Sequence, residues 1–177
     1  MNGLLKGAIV VCSLVLGACA TSPFPSSALK DIDPSVGFGV LQAQPDVYKG
    51  RAVELAGAIV DIQPLQNGTL IVVQNLPLKE HKPVETLGET QEDVQAGGTF
   101  AVLYPETTDK SEFEFGDKIV IVGRVQEEKT RAPGAAQSTR PFLVAKYLHV
   151  WKTGMYPIAQ YEDLADRGLV QKTYCSK

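Results

Sequence analysis

Five short apolar runs, each bounded by glycine, proline or polar residues, limit what this chain can fold into. From Arg51 onward apolar residues alternate: Val53, Leu55 and Ile59 share one phase, and Ala58, Val60 and Ile62 share the other. A period of two marks a strand with two distinct faces. The phase changes near Gly57, and a glycine inside a strand often marks a bulge. Pro64-Leu65-Gln66-Asn67-Gly68 then supplies a turn around Asn-Gly, the strongest short hairpin dipeptide. Residues 69–74 (TLIVVQ), 99–104 (TFAVLY), 117–125 (DKIVIVGRV, broken at Gly123) and 142–151 (FLVAKYLHVW) complete the set. Five strands with glycine-marked bends point to a mainly β fold, a small five-stranded antiparallel barrel of OB-like type with short flanking helices. A β-sandwich would need more strands.

Between the strands the pattern is less regular. Val36, Val40 and Ala43 lie at near-helical spacing behind Ser35, a suitable N-cap, and Pro45 closes the segment. Gly37 and Gly39 weaken that helix. Residues 77–98 are polar and charged, and hold either a short edge element around residues 84–87 or a functional loop. Residues 127–141 form a Gly, Pro and Ser/Thr loop carrying Lys129, Arg131 and Arg140. A last helix is expected to start at Pro157, present Ile158, Tyr161 and Leu164 or Ala165 on one face, and stop at Gly168.

The first 19 residues set the chain's address. Lys6 precedes an apolar run over residues 7–16, and small residues then lead into Cys19. This is the order of a secretory leader, and the run is far short of the ~20 residues a membrane span requires. Leu16-Gly17-Ala18-Cys19 resembles the bacterial lipobox, which implies cleavage between Ala18 and Cys19. It also implies a diacylglyceryl group on the Cys19 sulfur and an acyl chain on the new amino terminus. Two or more acyl chains anchor a protein stably where one does so marginally. The organisation expected is a leader at 1–18, a Pro- and Ser-rich tether at 19–33 (from Ala20, ATSPFPSSALKDID), and the barrel domain at 34–177. The acyl chains would be the sole membrane attachment, since no later stretch approaches spanning length.

Charge and cysteine content narrow the function. Loss of Lys6 with the leader moves the net charge from −3 to −4. That mild acidity argues against nucleic acid and against electrostatic adhesion to anionic headgroups. Cys12 leaves with the leader and Cys19 is the lipid acceptor, so Cys175 has no partner for an internal disulfide and reads as a free thiol near a mobile end. His81 lies in a polar loop and His149 in the fifth strand, neither with the grouped ligands a zinc site needs. Glu112 and Glu114 flank Phe113 and would share a face of an extended segment, as an acid/base pair might. Charge around an aromatic core residue explains the same spacing. No catalytic residue, metal site or diffusible cofactor is expected. If the barrel binds a ligand, the surface of its second and third strands and adjoining loops would serve. Gln74, Asn75, Tyr104, Lys129, Arg131 and Arg140 are then the candidate residues, for a glycan fragment, a small cationic compound or an envelope protein.

Taken in order, several motifs resemble the Slp family of outer-membrane lipoproteins, named for starvation-inducible members. They are Pro45-x-x-Tyr48-x-Gly50-x-x-Val53, Gly57-x-Ile59-Val60, Leu76-Pro77-Leu78, the run Gly116-Asp117-Lys118-Ile119-Val120-Ile121-Val122-Gly123, and Val150-Trp151. The resemblance covers the chain from the lipobox to Trp151. It implies a protein acylated at Cys19 on the periplasmic face of the outer membrane, with an envelope-stress or stationary-phase role and no catalytic residues to carry over. Ala20 after the cysteine, where aspartate would mark inner-membrane retention, agrees with that location.

Overall fold

A computed structural model of the chain describes residues 22–84, 97–106, 108, 111–126, 140–154 and 171–176. Two short helices, α1 (Ser26–Leu29) and α2 (Phe38–Ala43), and a 3-10 turn (Pro45–Tyr48) precede the strands. The strands are β1 (Ala52–Leu65), β2 (Gly68–Leu76), β3 (Leu78–Lys79), β4 (Lys82–Pro83), β5 (Thr99–Tyr104), β6 (Lys118–Gln126), β7 (Phe142–Trp151) and β8 (Gln171–Cys175). The main sheet runs β5-β2-β1-β6-β7-β8, and a further β5–β7 pairing closes five of these strands into a barrel.

The five expected strands are all present, but the barrel is mixed, not antiparallel. β5 and β7 run parallel, pairing Ala101 with Phe142, Val102 with Leu143 and Leu103 with Val144. The reason is arithmetic. Direction cannot alternate all the way around a ring with an odd number of members, so a closed five-stranded ring needs at least one parallel pair.

The interior is filled with branched and aromatic side chains. Val53, Leu55 and Ile59 of β1 meet Ile71 and Val73 of β2, Phe100 and Val102 of β5, and the inward residues of β6 and β7. Burial of each contributes roughly 1.5–3 kcal/mol. The phase change in β1 falls between Ile59 and Asp61, a little beyond Gly57. Gly57 serves close approach instead. A Cβ there would overlap the Gln74 carbonyl oxygen and Val73 Cγ1, so glycine permits β1 and β2 to come together. At Gly123 the register does shift, with Val122 opposite Tyr147 and Gly123 opposite Ala145. The turn at Gln66-Asn67 joins β1 to β2 with Leu65 opposite Gly68.

Outside the barrel the structure departs from expectation in four places. The helix after Ser35 begins at Phe38, with Gly37 as an uncapped N-terminus, and buries Phe38 and Leu41. Val40, expected on the inner face, is 38% exposed. Phe38 and Leu41 offer more apolar area than Val40 and Ala43, and the Phe38 ring lies 6.0 Å from that of Phe100. Second, the polar stretch after β2 opens with the β3–β4 hairpin, earlier than the edge element expected at 84–87. Its two turn residues, Glu80 and His81, have φ of 51° and 62°, as a twist-matched two-residue hairpin requires. Third, Cys175 belongs to a sixth strand, β8, which pairs with the second half of β7. Fourth, the segment expected as a tether is packed against the barrel from Phe24 on. Phe24 is 4% exposed, α1 follows it, and Ile32 bridges to Ala52. The helix expected at 157–168 and the loop residues Lys129 and Arg131 lie outside the described residues.

Gly57→Ala is expected to destabilise the barrel by ~1–3 kcal/mol through overpacking, read as a lower urea midpoint with an unchanged slope. An unchanged midpoint would mean that β2 retreats at no cost.

Candidate functional site

The outer surface of β1, β6 and β7 carries buried apolar side chains. Residues of opposite phase to the core point outward there, and the strands supply Ala56, Val120, Val122 and Trp151. Such a face would be wet in a bare barrel. Here Phe24, Ala28, Leu29 and Ile32 from the N-terminal segment cover it and make a second, smaller core. The Phe24 ring lies 6.1 Å from Tyr147 and 6.4 Å from His149, edge-on to the imidazole. Asp33 N–H donates to the Ala52 carbonyl at 3.2 Å, so the segment enters β1 in fixed register. The Asp33 carboxylate accepts from Ser35 N–H and Oγ, and those bonds hold it below the usual carboxylate range.

His149 is buried in this face at 6% exposure. Its Nδ1 lies 2.7 Å from Thr173 Oγ1 on β8, and its ring lies 4.3 Å from Trp151. Burial holds the imidazole below its ordinary value; a contact from Gln171 opposes that, and the Lys82 ammonium adds to it. The reading as a cross-strand packing histidine therefore describes its place.

His81 is not simply solvated. Its Nδ1 lies 2.8 and 3.0 Å from the two carboxylate oxygens of Glu54, whose side chain is only 8% exposed. The bond ties the β3–β4 turn to β1. Beside Glu54 is a cavity of about 440 Å³ between residues 32–39, the middle of β1 and the end of β2. Among the described residues no hydroxyl or thiol is hydrogen-bonded to His81, and no group of three or more potential metal ligands occurs.

Those candidate binding residues that are described are not gathered in one place. Asn75 lines the cavity with Glu54 and Asp33. Gln74 is turned to a structural role, its Nε2 donating to the Gly98 carbonyl at 3.0 Å. Tyr104 belongs to the core: it is 2% exposed, packs edge-on to Phe113 and Tyr174, and offers no stacking face to a ligand. Burial, helped by Glu106, pushes its hydroxyl up to about 12. It also sits at the far end of the β2–β5 pairing from Gln74, opposite Thr69. Arg140 lies just before β7, and Lys129 and Arg131 are outside the described residues.

Glu112 and Glu114 diverge, each to its own cation. Glu112 takes Lys172 at 2.8 Å and the Tyr174 hydroxyl; the Lys172 bond first, then Tyr174, lower its carboxyl. Burial raises Tyr174. Glu114 lies 3.4 Å from Lys152. Phe113 between them is 2% exposed, as expected of a core aromatic. The Gly116-Asp117-Lys118 motif is likewise architectural. The buried Asp117 carboxylate accepts from Glu114 N–H and Gly154 N–H, each at 3.0 Å, and pairs with Lys152 at 2.9 Å.

Against known proteins, the family model of the outer membrane lipoprotein Slp family matches residues 16–173. The match begins at Leu16, the first lipobox residue, and runs into β8. The chain belongs to that family, and its place is the outer membrane, as a lipid-anchored protein. No curated protein matches the chain. Among the described residues no helix is long and apolar enough to cross a membrane.

The docked face has a pH dependence of fixed sign. With its folded value depressed, His149 takes up a proton more readily in the unfolded chain. Its contribution is therefore intact above about 6.5 and is lost as pH falls through and below that value. The melting temperature should fall between pH 7.5 and pH 5, and fall less in His149→Gln. Parallel slopes for the two proteins would exclude His149 as the cause.

Proposed function

We propose that the chain is cut between Ala18 and Cys19 and acylated on the Cys19 sulfur and amino terminus. It then displays a non-catalytic barrel to the periplasm, where it contacts an envelope partner or supports the envelope. The observation that carries this reading is the family match starting at the lipobox itself. The filled interior supports a structural or partner-contacting part over a ligand carrier, since Ile59, Ile71, Phe100, Ile121, Leu143 and Leu148 are fully buried within it. We further assign the barrel to the OB type. The ring order β1-β2-β5-β7-β6, with its parallel closing pair, supports that assignment.

A second reading has one observation behind it. The cavity beside Glu54 combines apolar walls with the carboxylates of Glu54 and Asp33 and with Asn75. Those charges favour a small cationic compound over a glycan fragment or an anion.

Cys19→Ser is expected to abolish acylation and to release the protein from outer membranes in detergent-free fractionation. A mutant that still sediments with the outer membrane would overturn the lipid-anchor reading.

A further inference from the structure

The packing of Phe24 changes the geometry of the anchor. Phe24 is five steps along the chain from Cys19, so its Cα lies at most about 18 Å from that of the lipidated residue whatever path the chain takes. Without docking, the first firm attachment to the barrel would be Val36, buried in the main core with Phe38 and Leu41. That leash of 17 residues has a reach of about 60 Å. Burial of Phe24, the turn of α1 and the Ile32–Ala52 bridge thus shorten the leash about threefold. An acyl group on Cys19 would therefore hold the barrel near the membrane surface, with one side towards it.

That side is identified by what surrounds Phe24. Tyr147 packs beside its ring. Cys175 is opposite Tyr147 across the β7–β8 pair and is exposed. Lys146, also exposed, places its Nζ 5.7 Å from the Tyr147 ring centre. An amphipathic aromatic ring beside a lysine suits the headgroup layer, where the ring meets apolar depth and the ammonium meets phosphate. We propose that the outer surface of β7 and β8 around Phe24, Tyr147 and Cys175 is a membrane-facing surface, held against the phospholipid leaflet that carries the acyl chains of Cys19. The proposal rests on acylation at Cys19.

Cys175 is the one thiol left free once Cys12 is removed and Cys19 is acylated, so the mature protein carries its own labelling site. The test uses the full acylated chain in phosphatidylethanolamine–phosphatidylglycerol vesicles with an acceptor dye on the headgroups. The donor is placed on Cys175 or, for comparison, on Asn67→Cys in a Cys175→Ser background. Asn67 is at the tip of the β1–β2 hairpin, about 30 Å of strand beyond Ala56. Energy transfer from Cys175 should exceed that from position 67 severalfold, and Phe24→Ala should reduce the Cys175 signal while the protein stays vesicle-bound. Equal transfer from the two positions, or a larger transfer from position 67, overturns the proposal, as does a Cys175 signal indifferent to Phe24→Ala. Flotation of the same samples separates the two levels. Protein that floats with the vesicles but fails the comparison leaves the anchor standing and removes the orientation. Protein that does not float removes both.

Discussion

Three residue pairs close the barrel: Ala101 with Phe142, Val102 with Leu143, and Leu103 with Val144. Without that parallel seam, β5 and β7 would each present an unpaired edge, which is a template for aggregation. Closure removes the edge and encloses Phe100, Val102 and Leu143 on all sides. The seam is short because β5 is short. Beyond it β7 continues for several residues, and β8 pairs with that second half, from Tyr147 to Trp151. A C-terminal strand thereby completes what a six-residue β5 leaves uncovered. Glu112, through Lys172 and Tyr174, fastens the outer side of that addition.

A closed ring has two surfaces, and the chain treats them differently. The inner one is filled by the strands themselves. The outer one on β1, β6 and β7 is apolar enough to need a cover, which the N-terminal segment and the β3–β4 hairpin provide. His149 and Glu54, two buried ionisable side chains of the ring strands, take their partners from different elements: Thr173 on β8 and His81 on the hairpin. Each bond therefore ties a peripheral element to the ring. A protein anchored by lipid at its amino end gains from this arrangement, because the first packed residue then governs how far the whole barrel stands from the membrane.

The strands are readable from sequence because period-two patterning and turn dipeptides are local signals, and all five runs form strands near the expected bounds. The parallel pair is implicit in a count of five with closure. Tyr104 defeats the expectation of an outward position because residues 99–104 are apolar on both faces, and without alternation the inner phase cannot be told from the outer. The segment at 22–33 is hidden by its prolines and serines. Its apolar residues, Phe24, Ala28, Leu29 and Ile32, are too few among those prolines and serines to stand out as a packed element, and the surface they cover is built by distant strands. The Glu54–His81 bond spans 27 residues and leaves no spacing signature at all.

The sequence by itself determined the address and the strand content. A leader, a lipobox and apolar periodicity act through neighbouring residues and need no fold to be recognised. Tertiary structure alone decided which end of β7 receives β8, which aromatic rings are buried, and that the supposed tether is packed from Phe24 onward. Those outcomes depend on shapes assembled from residues far apart in the chain. Burial of a single ring against Ala56, Val120, Val122 and Trp151 is a property of four strand positions brought together, and no one of them carries it alone.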